Sequence, residues 1–139
     1  MSTPYFQVQT LTLVGEWGSP QHFKLGPFKN AAGTAVDLTT YDFILWCATV
    51  RPGLMQQDGI NRWDNGISGV SLVGDSSGYV TIDTDIDGAT TFVMNALLEC
   101  DLWCTNDSWS TWAKLGSGQF QWNAPVKFTQ SGTDGPGPY

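Results

Sequence analysis

The stretch Tyr41–Val50, YDFILWCATV, alternates with a period of two yet is apolar on both sides: Phe43, Leu45 and Cys47 point one way, Ile44, Trp46, Ala48 and Val50 the other. A strand built like this has to be covered on both faces, by a second layer and sheet neighbours or by another subunit. Trp46 is read as a core residue on that basis. The turn Ala31-Ala32-Gly33 and the corner Asp37-Leu38-Thr39 lead into the strand, and Pro52 with Gly53 closes it by removing a ladder donor and permitting a turn.

Around this strand the chain reads as short strands separated by turn signals. Phe6–Val14 is a first strand with a phase change near Thr10, and Gln21–Leu25 a second. Arg51–Gly66 reads as a polar, irregular loop. Ile67–Val73 and Tyr79–Asp83 flank Gly74-Asp75-Ser76-Ser77-Gly78 as a hairpin, and Glu99–Thr105 is a later strand. Trp109–Leu115 and Gln119–Phe128 follow, with Gly116-Ser117-Gly118 between them as a turn. One short helix is expected over Asp87–Leu97, where Phe92 and Ala96 share a face. Seven to eight short, evenly spaced strands point to an all-β, immunoglobulin-like antiparallel β-sandwich over residues 1–128, with a flexible C-terminal tail at 129–139.

At 139 residues the chain has one domain's worth of sequence. Its 13 Asp and Glu against six Lys and Arg give a net charge of −7, which repels polyanions and disfavours nucleic acid. Charged residues are only 14% of the chain, against roughly 25% in average globular proteins. Such a surface costs little to bury in an assembly. There is no basic, apolar leader at the N-terminus and no apolar run approaching the ~18 residues of a membrane span, so a cytoplasmically made protein without membrane contact is expected.

Cys47, Cys100 and Cys104 have neither zinc nor redox spacing. Cys100 and Cys104 lie on one strand about 13 Å apart, beyond disulfide reach. Buried free thiols are expected, with a bridge from Cys47 to one of the others as the alternative. Asp83-Thr84-Asp85-Ile86-Asp87-Gly88 matches the first half of a calcium loop, but position 12 is Met94 and position 9 is Thr91, so no metal site is assigned and the aspartates read as caps of the following helix. A single histidine, His22, and the absence of a nucleophile turn or phosphate loop leave no catalytic residue to name and no cofactor to expect. The chain is read as a non-enzyme.

The succession of Gly33, Val36-Asp37-Leu38-Thr39, a strand ending at Arg51, Gly78-Tyr79-Val80-Thr81, Ala89-Thr90-Thr91 and Asp101-Leu102 resembles a small domain of tailed bacteriophages. That domain stands at the N-terminus of baseplate upper proteins and in related short virion proteins. The resemblance covers about residues 30–128 and implies an immunoglobulin-like sandwich that docks onto other virion subunits. Two departures stand out: Leu98-Glu99-Cys100 replaces the usual tyrosine-containing pair, and tryptophan is abundant.

Of the seven tryptophans, Trp17 beside a glycine, Trp63 in the polar loop, and Trp109 with Trp112, three apart, are poor core candidates. Exposed Trp is costly in water and enriched at binding hot spots, so these four are expected at subunit interfaces. The function expected is a structural virion protein, in the tail or baseplate or as capsid decoration, with other virion proteins as partners in a homo-oligomer or symmetric assembly. The alternative is a carbohydrate-binding module that uses exposed Trp as sugar platforms.

Overall fold

Two sheets face one another in the computed structural model, which describes residues 6–16, 18–51, 56–85 and 96–123. Eight strands are formed by these residues: β1 (Gln9–Glu16), β2 (Gln21–Leu25), β3 (Asp42–Arg51), β4 (Gln56–Asp64), β5 (Val70–Gly74), β6 (Val80–Thr84), β7 (Ala96–Thr105) and β8 (Ala113–Asn123). The larger sheet has the order β1-β8-β7-β3-β4 and the smaller β2-β6-β5. With β3, β7 and β8 side by side, β4 added at the β3 edge and β2, β6 and β5 opposite, the arrangement is an immunoglobulin-like sandwich of the variable type without its last inserted strand.

The alternation of β3 sends Phe43, Leu45 and Cys47 into a core shared with Leu11 and Leu13 of β1, Leu72 of β5, Ile82 of β6, and Leu98 and Leu102 of β7. Rings fill the rest. Trp63 of β4 lies with its centroid 5.5 Å from Phe120 and 5.8 Å from Trp122, both of β8, and Phe23 of β2 meets Phe120 at 5.5 Å from the opposite sheet. Cys47, Cys100 and Gly118 lie in register across β3, β7 and β8, and this row of small residues leaves room over the sheet for the rings. The three cysteines are buried free thiols, and burial pushes all three thiol pKa values up, Cys100 and Cys104 to about 12.

Several expectations need correction. Arg51–Gly66 is not an irregular loop, because β4 occupies most of it; pairing with β3 ordered a segment whose polarity hid the strand, and Trp63 is fully buried rather than exposed. Gly116-Ser117-Gly118 is not a turn but the middle of β8: a Cβ on Gly118 would stand 1.9 Å from the Leu11 carbonyl oxygen, so the glycines serve the close approach of β1. That β1–β8 pairing is parallel, so the sandwich is not wholly antiparallel. Trp46 is not in the core; it is half-buried on the outer side of β3, with Ile44, where no second layer covers it among the described residues. The helix expected over Asp87–Leu97 falls mostly outside the described residues, its last two residues open β7, and no helix forms among the residues described. The tail at 129–139 also lies outside them.

Two of the stretches that carried the resemblance, Val36–Thr39 and the one that opens at Gly78, come together in space. Asp37 accepts from the Thr39 amide at 3.0 Å and hydroxyl at 2.7 Å, fixing the corner before β3. Leu38 is buried there and donates its amide to the Asp75 carbonyl in the β5–β6 turn, while the Phe28 amide donates to the Gly78 carbonyl. Gly78 has a φ of +91° and sits against the Phe28 and Val36 carbonyls, a place only glycine fills without strain. The edge strand β5 is also shielded, since the Asn65 side chain accepts from the Leu72 amide at 2.7 Å and donates to its carbonyl at 3.0 Å.

Gly118→Ala is expected to destabilise the fold by about 1–3 kcal/mol through this overpacking, read as a lower denaturant midpoint. In the native protein a thiol-specific disulfide reagent should leave all three cysteines essentially unmodified over minutes, and denaturant should release all three.

Candidate functional site

The β7–β8 connection is built around Thr105, whose side chain is fully buried at the end of β7. Its hydroxyl lies 2.7 Å from an Asp107 carboxylate oxygen and 2.8 Å from the Thr111 carbonyl, two acceptors sharing one proton. The same oxygen accepts from the Trp109 amide at 3.1 Å. Asp107 closes the loop from the other side by accepting from the Thr111 amide at 3.0 Å and from the Thr111 hydroxyl. Those bonds hold the Asp107 carboxyl down at about 2, Thr111 contributing most and Thr105 less.

Within this frame Ser108 and Trp109 both take left-handed backbone conformations, with φ of 58° and 68°. For a bulky residue such as Trp109 that geometry is costly and persists only where surroundings impose it. The result is an aromatic tip. Trp112 is 46% exposed, donates its indole N–H to the Trp109 carbonyl at 2.9 Å, and packs edge-on against Trp109 at 4.7 Å and Trp103 at 6.0 Å. Trp109 also lines a depression of about 250 Å³ beside Asp42, Ile44, Asp64 and Asn65. The interplanar angles of 61° and 73° make this a knob of crossed rings, not a flat platform.

Of the four tryptophans expected at an interface, Trp109 and Trp112 therefore meet at one tip. Trp63 is in the core and cannot reach a partner, and Trp17 lies outside the described residues. Asn106-Asp107-Ser108 is legible as a turn, since Asp bonds nearby backbone, but the part that Thr105 and Asp107 play in holding the tip was missed. Also missed were Trp46 and Trp103, which continue the aromatic surface onto the outer face of the larger sheet.

The residues singled out for chemistry are placed differently. His22 Nδ1 and Asp83 Oδ1 lie 2.5 Å apart as an exposed cross-strand pair on β2 and β6. Asp85 donates its amide to the Gly69 carbonyl, and the remainder of the aspartate-rich segment, from Ile86, is outside the described residues. Among the described residues no three His, Cys, Asp or Glu side chains converge as metal ligands.

Because the folded pKa of Asp107 is below its ordinary 3.8, its bonds stabilise the loop above that value and are lost as pH falls through about 2. The indole signals of Trp109 and Trp112 in nuclear magnetic resonance spectra should accordingly shift between pH about 4 and about 2, and Asp107→Asn should abolish that step while leaving the Trp63 signal unmoved.

No protein-family model matches the chain, and no curated protein matches it. Among solved structures it is similar to the crystal structure of Dpr1 IG1 bound to DIP-eta IG1, with 10% sequence identity, a TM-score of 0.36, and 90% of this chain and 98% of that chain covered. The fold assignment rests on the strand order itself, and the match carries nothing further.

Proposed function

We propose that this chain is a non-enzymatic structural protein of a tailed-bacteriophage virion, made in the host cytoplasm, that joins or reinforces neighbouring subunits in the tail or baseplate or as capsid decoration. The observation that carries the docking part is the tip of Trp109 and Trp112, strained at Trp109 and held by Thr105 and Asp107. A rigid aromatic anchor loses little conformational entropy when a partner closes on it, and such residues dominate binding energy at protein interfaces. Crossed rings suit insertion into a pocket better than stacking on a sugar.

The virion setting is supported by the phage-like sequence pattern, whose two longest stretches build one joint between the corner at Asp37–Thr39 and the turn at Asp75–Gly78. That joint is a folding device, and the tip is separate from it in sequence. Low charge density fits burial in an assembly.

In purified virions, quantitative mass spectrometry should find this chain at a fixed stoichiometry: near that of the shell protein for decoration, or a small symmetric count for tail or baseplate. Trp112→Ala should fold normally and lower incorporation by roughly tenfold or more, the size of a hot-spot loss of ~1.4 kcal/mol. Absence of the chain from virions overturns the virion setting, and unchanged incorporation of the variant overturns the role of the tip.

A further inference from the structure

On the outer face of the larger sheet, a groove of about 500 Å³ runs between Trp46 of β3 and Trp103 of β7. This volume falls within the range of about 300–1,000 Å³ usual for ligand clefts. Its existence follows from the register. Trp46 stands opposite Asp101, Ala48 opposite Glu99, and Asp101 opposite Ser117, so the small residues Ala48 and Ser117 flank the two carboxylates and leave space between the indoles. Polar groups are held in place around that space: the Ser117 hydroxyl donates to Asp101 at 2.6 Å, and Lys114 Nζ lies 3.6 Å from the same oxygen.

The lining selects the ligand. Glu99 and Asp101, on a chain of net charge −7, repel anions. An apolar ligand would strip water from four polar side chains without replacing their bonds. A basic peptide finds its places already filled, because Arg62 stands over the Trp46 ring at 5.5 Å and Lys114 over the Trp103 ring at 5.2 Å and beside Asp101. A neutral ligand with both apolar faces and many hydroxyls meets every requirement.

We propose that this groove binds a neutral oligosaccharide. Its rings pack along the half-buried indoles of Trp46 and Trp103 beside Arg62 and Lys114, its hydroxyls donate to Glu99, to Asp101 and to the Ser117 oxygen, and its oxygens accept from Lys114. The site lies beside the aromatic tip and does not rest on the docking role of Trp112.

The test titrates the intact protein with hexamers of β-1,4-glucose, α-1,4-glucose, β-1,4-N-acetylglucosamine, β-1,4-xylose and β-1,4-mannose, and with a tri-arginine peptide and heparin as competitors of other classes. Indole signals in nuclear magnetic resonance spectra report the site, and calorimetry gives affinity. At least one neutral hexamer should shift the Trp46 and Trp103 signals with a Kd on the order of 1 mM or tighter. Glu99→Gln and Asp101→Asn, on exposed or half-exposed positions that leave the core intact, should each weaken binding about tenfold, while Val73→Ala, exposed on β5 of the other sheet, leaves it unchanged. No shift with any neutral hexamer, undiminished affinity in both carboxamide variants, or preferential binding of the peptide or heparin at these signals would overturn the proposal.

Discussion

The meeting of Trp63, Phe120, Trp122 and Phe23 is the contact on which the remaining structure depends. It draws together β4, β8 and β2, that is, one edge of the larger sheet, the strand three places away in it, and the facing sheet. Neighbouring strands are about 4.8 Å apart, so strands three places apart need both sheet coiling and long side chains to bring rings within van der Waals contact. Antibody domains pin the equivalent region with a disulfide between the two sheets. Here β2 has no cysteine and offers Phe23 inward, so burial of aromatic surface takes over that task.

Two sets of small residues follow from that choice. Cys47, Cys100 and Gly118 make room above the sheet centre, and the cysteines act there as compact apolar groups whose thiols burial keeps protonated. Gly15 and Gly118 let β1 run tightly alongside β8; a Cβ on Gly15 would stand 2.0 Å from the Trp122 ring. Packing of the rings and parallel pairing of the first and last strands are therefore one solution.

With Trp63 of β4 and Phe120 and Trp122 of β8 directed inward, no second layer covers the opposite face of the same sheet among the described residues, and there Trp46, Trp103, Trp109 and Trp112 gather with Arg62, Lys114, Glu99 and Asp101. Its two parts differ physically. The tip is rigid and convex, held by a network about Thr105; the groove is recessed and polar, held open by Ala48 and Ser117. A convex aromatic knob suits a protein pocket, and a recessed groove with paired donors and acceptors suits a hydroxylated ligand.

Local pattern alone was enough for the all-β class, the bounds of β2, the β5–β6 hairpin and the grouping of Phe43, Leu45 and Cys47 on one face of β3, because period-two alternation and turn chemistry act over neighbouring residues. It was insufficient for β4, whose polar residues are strand-forming only because β3 lies beside them, and for the middle of β8, whose glycines look like a turn until Leu11 is placed against them. Trp63 and Trp46 exchanged roles for the same reason: burial belongs to which face the sheet turns toward its partner, and that is set by strand order. Of the candidate site, the three-residue spacing of Trp109 and Trp112 indicated only that one of them leaves the core, on opposite faces of a strand that starts instead at Ala113; their meeting on one tip, the union with Trp103 and the groove beside Trp46 arise from loop closure and from registers between strands distant in sequence. Sequence by itself determined which residues alternate, where the chain turns and how sparse its charge is; tertiary structure decided which alternating face is core, because only the pairing of distant strands chooses the side that loses its water.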